Sequence, residues 1–101
     1  MVDIVYDLRR LRLTARGHAC GGEYGADPVC AGVSALLYTL AEGVKPMGNA
    51  AIRLQPGDAL IALHPRPCCQ MAARMAFELI CGGLELIAEQ YPDNVSCRVK
   101  R

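Results

Sequence analysis

Gly17-His18-Ala19-Cys20-Gly21-Gly22-Glu23-Tyr24-Gly25-Ala26-Asp27-Pro28-Val29-Cys30-Ala31-Gly32-Val33-Ser34-Ala35-Leu36-Leu37-Tyr38-Thr39-Leu40 is the stretch around which the chain is organised. A histidine leads, a glycine-rich loop follows, and a helix then starts with a cysteine in its first turn. Asp27 suits the N-cap, because its carboxylate accepts hydrogen bonds from the free amides of the next turn. Pro28 suits the first helical position, where its missing N–H costs nothing. Cys30 then becomes the third helical residue. A sulfur there lies against unpaired N–H groups and the positive end of the helix dipole. Both favour the thiolate, which is the nucleophile. A loop that folds His18 back over the helix end makes the pair a Cys–His dyad. The competing reading of Cys30 alone is a small buried helix residue.

Upstream, Val2 to Tyr6 is a short β-branched and aromatic run, expected as a strand. Arg10 to Arg16 alternates. Leu11, Leu13 and Ala15 point one way, while Arg10, Arg12, Thr14 and Arg16 point the other, as in a half-buried strand of period two. This strand delivers His18 to its C-terminal end. Residues 19–26 carry three glycines and no apolar period, the composition of a loop placed to act as a lid.

Downstream, the first helix is expected from Pro28 to about Glu42. Val29, Val33, Leu36 or Leu37, and Leu40 form its core stripe, and Gly43 its end. Lys45 to Asn49 reads as a loop. Ala51 to Gln55 and Ala59 to His64 read as a hairpin around the turn Gln55-Pro56-Gly57-Asp58. A second, longer helix starts near Pro67. Cys68, Met71 or Ala72, Met75, Leu79, Gly82 or Gly83, and Leu86 supply its apolar period, with Met71 and Met75 expected in the core. Gly82 and Gly83 each cost about 1 kcal/mol against alanine in a helix, so they imply close packing or a weak point. Tyr91-Pro92-Asp93-Asn94 stops the helix, and Val95, Cys97 and Val99 mark a last strand. The order β-β-α-β-β-α-β points to an α+β fold. Its natural form is a two-layer sandwich, with both helices on one face of a mainly antiparallel sheet.

With 101 residues the chain is expected to form one small domain. A formal net charge of +1 does not imply a nucleic-acid partner. The distribution is uneven, with Arg9, Arg10, Arg12 and Arg16 early and Arg98, Lys100 and Arg101 at the end. Solvated strand faces are the expectation for them. No apolar run is long enough to span a bilayer, and the start lacks the apolar core of a signal peptide. The six cysteines show no paired spacing of a zinc site. Cys68 and Cys69, being adjacent, cannot bridge each other without strain. Free thiols in a reducing cytoplasm are therefore expected, most of them packing as small hydrophobes.

Two blocks carry a family resemblance. The first is Gly17-His18-Ala19, Glu23-Tyr24-Gly25, Asp27, Val29-Cys30-Ala31 and Val33-Ser34-Ala35-Leu36. The second is Gly83-Leu84 with Ile87-Ala88-Glu89-Gln90-Tyr91-Pro92. In content, order and spacing the chain resembles the ribosomal-processing cysteine proteases. The resemblance implies one cysteine-protease domain over 1–101, with Cys30 as nucleophile and His18 as general base. Asp27 and Ser34 fall on family positions and are expected to support the site, Asp27 chiefly as the helix cap. The implied activity is a bacterial endopeptidase that removes the N-terminal extension of the twenty-seventh protein of the large ribosomal subunit. A ribosomal protein precursor is then the substrate, a homodimer the expected assembly, and no cofactor or metal is expected. Cys20 departs from the pattern, where glycine is commoner, and Pro28 replaces a usual β-branched residue.

Three other readings stay open from the sequence. One is a phage copy that processes capsid or scaffold precursors. Another is a non-catalytic ribosome-associated binding module that keeps Cys30 and His18 as relics. The last is a metal or redox site built on His18, Cys20 and Cys30.

Overall fold

In the computed structural model, which describes residues 1–17 and 28–100, the alternation read in the sequence becomes one buried sheet face. Strands β1 (Val2–Asp7), β2 (Arg12–Arg16), β3 (Gly48–Gln55), β4 (Asp58–Pro65) and β5 (Val95–Lys100) form a single five-stranded sheet in the order β3-β4-β2-β1-β5. Helix α1 spans Pro28–Val44 and helix α2 spans Gln70–Gln90. The element order is the expected one. All neighbouring strands are antiparallel except β1 and β5, which pair in parallel from Val2↔Val95 to Asp7↔Lys100.

These pairings make β2 and β3 run the same way, and β4 and β5 likewise. Each helix is therefore a crossover between two parallel-running strands that are not adjacent. A helix is needed there, because such a link must return along the whole length of the sheet. Both helices cover the same face. Ile4, Tyr6, Leu13, Ile61, Leu63 and Val95 of the sheet share one buried cluster with Val33, Leu37 and Leu40 of α1 and Phe77, Ile80 and Leu84 of α2. The Tyr6 and Phe77 rings stack with centroids 6.0 Å apart. The opposite face carries Arg12, Arg16, Arg53, Arg98 and Lys100, all exposed. β2 and β5 are not neighbours, since β1 lies between them.

Several expectations are corrected. α1 runs through Gly43 to Val44, because the chain continues directly into a 3-10 turn, Lys45–Met47, without a left-handed cap. The expected loop at Lys45–Asn49 is this turn plus the first two residues of β3, whose pairing with β4 starts at Gly48↔Pro65. Arg10 and Leu11 leave the expected second strand and belong to the β1–β2 turn, where Leu11 takes φ +50°. Pro67–Cys69 form a 3-10 turn, and α2 starts only at Gln70.

The largest correction concerns the face of α2. Its buried residues are Ala73, Phe77, Ile80, Cys81 and Leu84. Met71 (77% exposed), Met75 (64%), Leu79 (78%) and Leu86 (59%) lie on the outside instead. Residues two apart sit about 200° round a helix. The stripe from Met71 to Leu86 is thus nearly opposite the stripe that meets the sheet.

Candidate active site

Cys30 is the third residue of α1, as the capping pattern implied. It is half-buried, its thiol is free, and it packs against the core cluster. Ser34 follows one turn later, also half-buried, on the same side of the helix. Cys30 thus lies in the first turn of α1, at the positive end of the helix dipole.

The position of α1 follows from its other end. Val44 leads through the Lys45–Met47 turn into Gly48, which pairs with Pro65 at one end of the sheet. Arg16 pairs with Asp58 at the opposite end. α1 runs back from the Pro65 end, so Cys30 lies toward the end where β2 stops. Gly17 occupies that end at φ +98°, and its N–H donates to the Gly57 carbonyl at 3.0 Å. A Cβ on Gly17 would collide with the Met1 carbonyl oxygen. The residue before His18 is therefore glycine for two local reasons, backbone conformation and close approach.

His18, Asp27, Cys20 and the glycine-rich segment 19–26 lie outside the described residues. Of the expected site residues, Cys30 and Ser34 are described. Among the described residues no cluster of three or more His, Cys, Asp or Glu side chains is arranged to hold a metal.

The two sequence blocks meet through the helices. A Cβ placed on Gly32 would lie 3.5 Å from Ile87 Cδ1, and one on Gly83 would lie 3.1 Å from Leu36 Cδ1. α1 and α2 thus pack antiparallel, with the end of α2 alongside the start of α1. The Tyr91 N–H donates to the Ile87 carbonyl at 2.8 Å and closes α2, and the Asn94 carbonyl accepts from the Val2 N–H at 2.9 Å. The second block is therefore the wall beside the Cys30 helix end. The sequence marks Gly82 and Gly83 alike, for close packing or a weak point, and only Gly83 has a close neighbour, Leu36.

The other cysteines separate by environment. Cys81 is buried, and a hydrogen bond with Cys97 followed by desolvation holds its thiol above the usual range. Cys68 is exposed, with its sulfur 3.6 Å from that of Cys69. The neighbouring Cys69 thiol, and then the Arg66 guanidinium, hold Cys68 below the usual thiol range. The expectation that most thiols are core hydrophobes fits Cys81, with Cys30 and Cys97 packed against the core, and fails for Cys68.

A helix-borne cysteine at the edge of a two-layer α+β fold defines a class once relatives are compared. A family model described as cysteine protease Prp matches residues 1–96. The Ribosomal processing cysteine protease Prp of Mycoplasma genitalium is 32% identical over 85 residues, covering 82% of each chain. The crystal structure of an essential ribosomal processing protease Prp from S. aureus, with a covalently linked product peptide, matches with a TM-score of 0.78 at 27% identity. That match covers 98% of this chain and 97% of the other. The S. aureus protease with a substrate peptide matches over the same shares with a TM-score of 0.73 at 26% identity. The class is that of a cysteine protease. The chain belongs to the cysteine protease Prp family.

Proposed function

We propose that the chain, as one domain over residues 1–101, removes the N-terminal extension of the twenty-seventh large-subunit ribosomal protein through a Cys30–His18 dyad. The observation that carries this reading is the place of Cys30, a free, half-buried thiol in the first turn of α1. The likeness to proteases with the ribosomal-processing description supports the substrate.

In the proposed reaction the Cys30 thiolate attacks the scissile carbonyl carbon. The C–N bond breaks as the His18 imidazolium donates its proton to the leaving amine. Neutral His18 then takes a proton from water, whose oxygen attacks the thioester and releases Cys30. Backbone N–H groups around Cys30 at the start of α1 are the candidate donors for the oxyanion. Asp27 caps α1, and Ser34 supports the sulfur from the next turn.

The same reading places the protein in the cytoplasm as a homodimer. The outward stripe of Met71, Met75, Leu79 and Leu86 supports a second copy as its cover, since large side chains so exposed in a continuous row mark contact surfaces. Among the described residues no helix is long and apolar enough to cross a membrane.

Intact mass of a ribosomal-protein precursor, incubated with each variant, tests the reaction. Wild type and Cys20→Ala are expected to make one defined cut, and Cys30→Ala and His18→Ala none. A cut that survives Cys30→Ala removes the dyad from the mechanism.

A further inference from the structure

The end of the sheet remote from Cys30 carries a second, unassigned concavity. It encloses about 750 Å³ between the β1–β2 turn, the end of β4 and the start of α2. Arg9, Arg10, Arg12, His64, Gln70 and Arg74 line it. A smaller hollow of about 190 Å³ adjoins it on the open face of the sheet, sharing Arg10 and Arg12 and adding Thr14 and Lys100. Asp7 is the one carboxylate lining either cavity. Cys30 lies fourteen residues before the end of α1, about 21 Å away along its axis.

Three observations show a surface built for an anion. First, the cations are left without acids. Arg10 approaches Asp7 only at 3.9 Å, and among the described residues Arg9, Arg12 and Arg74 have no ion-pair partner. Five cations against one carboxylate, in a chain of net charge +1, concentrate the positive potential at this end.

Second, the turn that presents them is held in a strained form. Leu11 sits at φ +50°, which is costly for a residue with a branched side chain. Its carbonyl accepts from the Leu63 N–H at 3.0 Å, and the Leu8 N–H donates to the Lys100 carbonyl at 2.9 Å. The Arg9 and Arg10 N–H groups both donate to Asp7 Oδ1, at 3.1 and 3.3 Å. Asp7 is thus committed largely to the turn backbone, and the two guanidinium groups project from a pinned frame. Strain kept by such a frame is characteristic of ligand-binding segments.

Third, α2 opens on this cavity through Gln70 and Arg74. Its N-terminus has no side-chain cap and no acidic residue in its first turn. Helix starts usually satisfy their free amides and positive dipole with one or the other. An external oxyanion complements the dipole that no acidic residue offsets here.

We propose that these adjoining cavities bind a nucleic-acid strand through its phosphodiester backbone. Arginine, rather than lysine, supplies four of the five cations, and its planar fork matches phosphate oxygens in pairs. The shared Arg10 and Arg12 continue the charge from the larger cavity onto the sheet, further than one isolated phosphate requires. No phenylalanine, tyrosine or tryptophan lines either cavity, so successive bases have no row of broad rings to stack on. Recognition is of the backbone, without sequence preference. The near-neutral chain average hides this surface, because folding gathers residues 9, 10, 12, 74 and 100 from distant positions.

Fluorescence anisotropy of a labelled, mixed-sequence single-stranded RNA tests the proposal on the full chain. Its arms are the same sequence as DNA, free nucleotide and a polyglutamate peptide of matched charge. Binding to RNA and DNA is expected, falling steeply between about 50 and about 200 mM salt. The triple variant Arg9→Ser, Arg12→Ser, Arg74→Ser is expected to bind roughly tenfold more weakly or worse, with a shallower salt slope. It should retain the wild-type denaturation midpoint and precursor cleavage. Arg53→Ser removes the same charge from a guanidinium that already pairs with Asp58 at 2.9 Å, and should bind as wild type. No binding at low salt overturns the proposal. So does equal binding of polyglutamate, tighter binding of free nucleotide than of a strand, or equal loss in Arg53→Ser.

Discussion

Gly17 shows how a single residue shapes the candidate site before any chemistry occurs. At φ +98° and against the Met1 carbonyl, it admits no side chain. Gly17→Ala is expected to cost roughly 1–3 kcal/mol, seen as a lower denaturant midpoint at unchanged slope. Precursor cleavage should fall further than stability alone explains, because His18 is the next residue. The place of Cys30 in the first turn of a helix was legible from the local pattern, and α1 does start at Pro28. The environment of Cys30 was not legible, because half-burial depends on what packs across from it. The same holds for Cys68. Adjacency to Cys69 is in the sequence, but exposure and the Arg66 contact came from the turn before α2. Cys68 is accordingly expected to react with iodoacetamide at neutral pH well ahead of Cys81, with peptide mass mapping as the check. A reversal of that order contradicts the environments described.

At the scale of elements, α1 and α2 approach each other closely at Gly32 and at Gly83. Gly82 and Gly83 look alike in sequence and differ completely in place. Nothing lies within 4 Å of a Cβ on Gly82, whereas one on Gly83 presses on Leu36 at 3.1 Å. Gly82→Ala should therefore stabilise by up to about 1 kcal/mol through helix propensity. Gly83→Val should destabilise by about 1–3 kcal/mol through overpacking at the Leu36 contact. Thermal unfolding of the two variants checks both signs. The element order was readable because period-two and helical patterns are local. The core face of α2 was misread because that helix carries two apolar rows. Phe77, Ile80 and Leu84 lie on one side, and Met75, Leu79 and Leu86 on another. Periodicity detects a row, but it does not say which row meets the sheet.

Across the whole molecule, three surfaces are separated. Cys30 and the Gly17 turn occupy one end, the arginine-lined cavities the other, and the apolar row of α2 runs along the outside. The outer row is where the homodimer reading is tested. Sedimentation at micromolar concentration should give a dimer for wild type and a monomer for Leu79→Glu, with unfolding of the isolated chain little changed. A dimer that persists in Leu79→Glu moves the interface elsewhere. Leu79 is 78% exposed, so its replacement leaves the core intact.

By itself the sequence determined the order of strands and helices, the helix start that carries Cys30, and the two blocks that mark the family. Each rests on neighbours in the chain, such as a cap, a turn or an alternation, and such interactions need no distant partner. Tertiary structure alone decided the parallel pairing of β1 with β5, the outward turn of Met71 and Met75, the seat of Gly83 on Leu36 and the gathering of arginines around one cavity. These depend on residues far apart in the chain being brought together, and only the burial of one shared core settles which of them meet.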